Sequence, residues 1–161
     1  MIRRALALMA PVLLLAACAA LRPAVEQRVT QGPTAQQFWM LKMVLQNGKE
    51  PSFDERRSWD DQMELKISQY LREHPDTANS IETASFRFYR QASVGQSKEQ
   101  VFILLGPPVG TTTDAAEMEK LARRYWPDLK GNVTEAWVYP LGWNLYFAGQ
   151  RLVDITQYLK D

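Results

Sequence analysis

Cysteine and histidine are almost missing from this 161-residue chain, which has one of each, Cys18 and His74. A lone cysteine rules out a disulfide framework within the chain, so the fold must be held by its core. A lone histidine supports neither a His-rich metal site nor a Ser-His-Asp triad. His74 stands before Pro75 at an expected helix end, where the negative end of the helix macrodipole accounts for it. Glycine loops that could cradle phosphate are absent. Charge of one sign is also lacking, with 19 Lys and Arg against 18 Asp and Glu, which speaks against a nucleic-acid partner. The acid pair Asp60-Asp61 lies beside arginines on an expected exposed helix face, the ordinary arrangement for solvation. The expectation is therefore a protein that is not an enzyme and that uses no cofactor and no metal.

What is present begins at the N-terminus. Arg3 and Arg4 precede an apolar run from Ala5 to Leu15, and Ala16, Ala17 and Cys18 close it. This is the layout of a secretory signal, with a charged start, an apolar centre and small residues beside the cleavage point. The cysteine placed directly after Leu15-Ala16-Ala17 resembles a lipobox, which implies that Cys18 is diacylated and becomes the first mature residue. A transmembrane anchor over Ala5 to Leu21 is the rival, but that run is short of the roughly 20 apolar residues a span needs, and Pro11 interrupts it. A plain signal peptide with an incidental cysteine is the other rival. Lipidation explains the single thiol better, because it leaves none to mispair in an oxidising periplasm. Two or more acyl chains hold a protein stably where one holds it marginally. Ala19, by resemblance to the sorting rule of enteric bacteria, implies the outer membrane, with the domain facing the periplasm.

The rest divides by pattern. Residues 1–17 read as signal peptide and 18–33, with Pro23, Gly32 and Pro33, as a flexible tether. Residues 34–92 read as a helical N-terminal extension. Thr34-x-x-Gln37 is a capping box opening a helix over 35–46, with Phe38, Leu41 and Leu45 on one face and Asn47-Gly48 as its stop. Ser52-x-x-Glu55 opens a second, ending near Glu73, whose apolar stripe is Trp59, Met63, Ile67, Tyr70 and Leu71. A third helical pattern runs over 77–91 with Ile81, Ala84 and Phe88. Residues 93–161 read as an α+β domain. Ser97 and Gln100 cap a short helix pointing Val101, Leu104 and Leu105 inward, with Gly106 as its left-handed terminator and Pro107-Pro108 preventing continuation. A short strand follows over 109–113, then an inserted segment, 114–132, with a helix from Asp114 to Tyr125. Alternation over 135–139, 143–148 and 151–156 predicts a three-stranded antiparallel meander, with helices packed on one face.

Gly95, Leu105-Gly106-Pro107, Trp137-x-Tyr139 and Phe147-x-Gly149, in that order and behind a lipobox, resemble the BamE family, also called SmpA or OmlA. These are small lipoproteins of the outer-membrane β-barrel assembly machinery. The resemblance covers about the last two-fifths of the chain and implies an accessory, non-catalytic role in assembling and inserting barrel proteins. The implied partners are the barrel-forming subunit and a periplasmic subunit of that machinery. Gln96 stands where the family commonly has methionine, and the helical extension and the insertion have no counterpart in minimal members. The motif residues read as structural, with Gly106 ending a helix and Trp137, Tyr139 and Phe147 in the core. An envelope binding module of another kind, such as an enzyme inhibitor, is the alternative, since fold does not settle function. Within the insertion, Lys120, Arg123, Arg124 and Trp126 form a mixture suited to an anionic lipid headgroup or an acidic, apolar protein patch. The spacing of Met118, Leu121 and Tyr125 favours a plainer role, a helix that covers the sheet.

Overall fold

The structure is a computed structural model that describes residues 25–77 and 80–160. Cys18, the signal segment and the first part of the expected tether lie outside those residues. The architecture is α+β, with helices packed on an antiparallel sheet.

The sheet has five strands rather than three. In chain order the first two strands are β1 (Val25–Val29) and β2 (Gln31–Thr34). Next come β3 (Gln91–Ser93) and β4 (Gly110–Thr112). The last three are β5 (Glu135–Tyr139), β6 (Trp143–Ala148) and β7 (Arg151–Leu159). The large sheet runs β1-β7-β6-β5-β4, antiparallel throughout, and β2 pairs separately with β3. The three consecutive C-terminal strands are its centre, and the chain flanks them with one strand from each neighbouring region.

β1 and β2 correct the reading of 18–33 as a flexible tether over 25–33, because those residues form paired strands. The polar residues of β1 disguised it. Gln27 Nε2 donates to Gln157 Oε1 at 2.8 Å, and Arg28 forms a two-pronged pair with Asp154 at 2.7 to 3.1 Å. An edge strand needs backbone pairing and cross-strand partners more than an apolar face.

The capping boxes set the helix starts. Thr34 opens α1 (Ala35–Asn47), Ser52 opens α2 (Phe53–Glu73) and Ser97 opens α4 (Lys98–Leu105), each with both reciprocal hydrogen bonds formed. Between them, the expected helix over 77–91 is broken. Only α3 (Ile81–Ala84) is regular; a wide π turn spans Ser85–Tyr89, and Arg90 at φ 48° turns the chain into β3. Pairing of Gln91 with Thr34 takes the end of the segment into a sheet. The packing face differs too: Phe86 is fully buried, while Phe88 and Tyr89 face solvent.

Gly106 ends α4, but not in the left-handed helical well. Its φ of 73° is combined with ψ of −165°, because the following proline disfavours helical geometry in the residue before it. The inserted helix is also shorter than expected. α5 (Ala115–Ala122) stops where Arg123 takes φ 54°, ψ −127°, and α6 (Trp126–Leu129) restarts with Pro127 in its first turn, where the missing N–H leaves no helix bond unmade.

Helices cover both faces of the sheet, not one. Strand alternation sends Trp137, Tyr139, Leu145 and Phe147 to one side, where they pack with Phe38 of α1 and Val101 of α4. It sends Ala136 and Tyr146 to the other, against Met118, Ala122 and Leu129 of the insertion. A third cluster joins Met63, Ile67 and Tyr70 of α2 to Phe86 and to Leu104 of α4. α4 is therefore a wall shared between the helical region and the sheet, and the boundary expected at 92/93 falls inside β3. Among the described residues no helix is long and apolar enough to cross a membrane.

Candidate functional site

The residues singled out in the sequence separate into an internal frame and a surface corner. The frame is built around β5. Trp137 packs on Phe147 at a ring separation of 4.7 Å and donates Nε1–H to Glu135 Oε1 at 2.6 Å. Lys98 bonds the other oxygen of Glu135. Burial works to raise the Glu135 pKa, but the hydrogen bonds from Lys98 and Trp137 outweigh it and hold the carboxyl below its usual range. Tyr139, stacked on Phe38 at 5.6 Å, donates its hydroxyl proton to the Gly106 carbonyl at 2.8 Å. Burial pushes its phenol far above the ordinary tyrosine range. Leu105 packs against both α4-flanking clusters, and Pro107 lies at the surface beyond it. Gly95 donates its N–H to the Leu152 carbonyl, and Gly149 makes the β6–β7 turn with its N–H on Thr134 Oγ1. Gly95, Leu105, Gly106, Trp137, Tyr139 and Phe147 thus join helix α4 to the sheet, while Gly149 serves the β6–β7 turn.

The corner lies where the insertion meets β1. Arg124 Nη2 donates to the Glu26 carbonyl at 3.1 Å and to Tyr125 Oη at 2.8 Å, and the Tyr125 hydroxyl also reaches Glu26 O at 3.2 Å. The Glu26 carboxylate stands 3.6 Å from Arg123 Nε and 3.5 Å from Arg124 Nε. Arg123 lays its guanidinium on the Tyr158 ring, 3.8 Å from the centroid. A non-glycine residue at positive φ with ψ near −127° is strained by about 1–3 kcal/mol. Here the strain is held by the stacking on Tyr158 and by the pairing with Glu26. Two exposed guanidiniums thus share one carboxylate, which leaves the corner with a net positive charge. It can hold an anionic group by hydrogen bonds and charge.

Lys120 is exposed on α5, three residues before Arg123. Trp126 does not join the corner. It is half-buried against the Met118, Ala122 and Leu129 cluster instead, beside Leu121 and Tyr125. The sequence reading missed Glu26, Arg28 and Tyr158. Arg28 ties β1 to β7 through Asp154 and to α6 through Asp128, at 3.1 Å. The sequence signal for β1 is weak, since Glu26, Gln27 and Arg28 are three consecutive polar residues between Val25 and Val29.

His74 caps the end of α2. Its ring stacks on Tyr70 at 4.2 Å, its Nδ1 lies 3.0 Å from the Tyr70 carbonyl and its Nε2 lies 3.9 Å from Glu99. Among the described residues, no three His, Cys, Asp or Glu side chains gather as a metal cage would require. No family model, curated protein or solved structure matches this chain.

Proposed function

We propose that this protein is an outer-membrane lipoprotein, anchored through Cys18 and facing the periplasm, that acts without covalent chemistry as an accessory subunit in the assembly and insertion of outer-membrane β-barrel proteins. The supporting observation is the use made of the motif residues: Gly95, Gly106, Trp137, Tyr139 and Phe147 hold one short helix to an antiparallel sheet, and Gly149 makes the β6–β7 turn of that sheet. That is the structural role which the resemblance to the BamE family assigns them. A rigid module of this kind works by binding, shifting the conformations of the proteins it bridges in proportion to its preference for one of them.

The alternative, an envelope binding module with another partner, draws on a separate observation. The π turn presents Phe88 and Tyr89 to solvent beside Arg87, in a part of the chain that the resemblance does not cover. Exposed aromatic and arginine side chains are common at protein interfaces.

The experiment is a pull-down in mild detergent of the tagged full-length protein from its own membranes, beside a Cys18→Ala control. Recovery of the barrel-assembly subunits, weakened in the control, is the expected result. A different reproducible partner in their place would replace this reading with the alternative.

A further inference from the structure

One end of the sheet differs from the other. The strand register places the start of β1, the end of β7, the β5–β6 turn and the start of β4 together, since Val25 pairs with Leu159, Tyr139 with Trp143 and Gly110 with Val138. Leu41 and Leu45 of α1 reach the same end, lining with Pro107, Val109, Tyr139 and Pro140 a groove of about 400 Å³. Five exposed apolar side chains lie at this end of the sheet: Leu45 is 75% exposed, Val109 70%, Leu141 45%, Val25 40% and Leu159 39%. The opposite end, formed by the Gly149-Gln150 turn and the Gly131-Asn132 approach to β5, carries none of the exposed large apolar residues.

We infer that this apolar end is the surface on which the domain rests against the phospholipid bilayer. The inference stands on the lipid-anchor reading of Cys18 and adds an orientation to it. Seven residue steps separate Cys18 from Val25, and at about 3.4 Å each they reach at most ~24 Å. The chain therefore enters the fold at the apolar end within a short distance of its acylated residue. The far turn lies a further strand length away, about 20 Å along the six residues of β6. Resting on that far end would require the linking segment to be pulled almost straight. Resting on the near end leaves it slack and puts five apolar side chains against the headgroup and acyl boundary, where such residues are favourable.

Charge agrees with the geometry. Lys160 follows Leu159, Lys42 lines the groove, and Arg123 stacks on Tyr158, the neighbour of Leu159 and the pairing partner of Glu26. These cations flank the apolar residues, with the charge of Arg123 shared with Glu26. Each basic residue close to an anionic surface strengthens association about fivefold. The exposed π turn and the outer face of α2 are then left for protein partners.

The test uses the full-length lipoprotein reconstituted into vesicles of phosphatidylcholine and anionic phosphatidylglycerol that contain a lipid with a nitroxide headgroup. Val109→Cys and Leu141→Cys each carry a fluorophore at the apolar end, and Gln150→Cys carries it at the far turn. Two reporters at the apolar end guard against one variant that fails to fold. Quenching several-fold stronger at 109 and 141 than at 150 is expected. Equal quenching at all three sites, or stronger quenching at 150, overturns the orientation. The unsubstituted protein is labelled in parallel. Acylated Cys18 takes no thiol reagent, and with that result a failure of the quenching pattern falls on the orientation alone. If Cys18 takes the label, the anchor reading fails and the orientation with it.

Discussion

Gly142 and Gly149 make a matched pair for testing how the β-hairpin turns carry stability. Both have positive φ, 72° and 59°, so alanine at either must adopt a left-handed backbone. That conformation costs roughly 1–2 kcal/mol, and alanine's smaller unfolded-state entropy returns about 0.4–1 of it. A Cβ on Gly149 meets nothing within 4 Å, so Gly149→Ala should cost only this balance, about 1 kcal/mol. A Cβ on Gly142 would stand 1.8 Å from the Tyr158 carbonyl oxygen and 2.5 Å from its carbon. Real contacts of this kind are essentially never under 3.0 Å, so the end of β7 must move by more than an ångström. That motion breaks the Tyr158 N–H to Gly142 carbonyl bond at 2.9 Å and strains the β1 pairing beyond it. Overpacking of this severity adds about 1–3 kcal/mol, and the lost hydrogen bond about 1 more, so Gly142→Ala should cost about 3–5 kcal/mol in total. In a domain of this size 1 kcal/mol moves Tm by about 3–5 °C. Urea and thermal unfolding followed by near-ultraviolet circular dichroism would compare the two variants. Losses within about 1 kcal/mol of each other would refute the steric argument.

Three further outcomes follow from the side-chain chemistry. Because the Glu135 pKa is lower in the fold than in the unfolded chain, its contribution is complete above the unfolded carboxylate range and fades as pH falls through the folded value. Glu135→Gln should therefore lose stability at neutral pH and flatten the acid limb of a stability-against-pH curve below about pH 4.5; an unchanged acid limb counts against the Lys98 and Trp137 contacts. Asp154→Ala leaves Arg28 without its two-pronged partner on β7 and should cost about 1.5–3 kcal/mol, with hydrogen exchange accelerating first in Val25 to Val29; uniform acceleration across the sheet would show that β1 is not secured by this pair. Tyr139 and Tyr146 are buried, with phenols pushed well above the ordinary range, so ultraviolet titration of the folded protein should leave both un-ionised until alkaline unfolding; their smooth titration near the normal tyrosine value would mean the core is open to water.

The local signals of the sequence were those with short range. Thr34, Ser52 and Ser97, each followed three residues on by Gln or Glu, set three helix starts because a capping box is completed within one turn. The apolar stripe Met63, Ile67 and Tyr70 marked the buried face of α2 for a similar reason, since helical periodicity is a property of the segment alone. Alternation around Trp137 and Leu145 likewise marked two central strands. Of the corner, Arg123 and Arg124 were visible as a basic pair, but Glu26 and Tyr158, 97 and 35 residues from Arg123, were not.

By itself, then, the sequence determined helix starts, the inward faces of the long helix and central strands, the turns, and an N-terminal pattern that reads as a lipid anchor. Tertiary structure decided what depends on a distant partner. β1 is a strand because β7 offers it a free edge and Asp154 and Gln157 complement its polar side chains. β3 ends the third helical pattern because β2 captures it. The sheet is covered on both sides because the insertion returns to Ala136 and Tyr146. A polar edge strand such as β1 lacks the apolar alternation that reveals a central strand, and the energy that favours it resides in contacts between segments that only folding brings together.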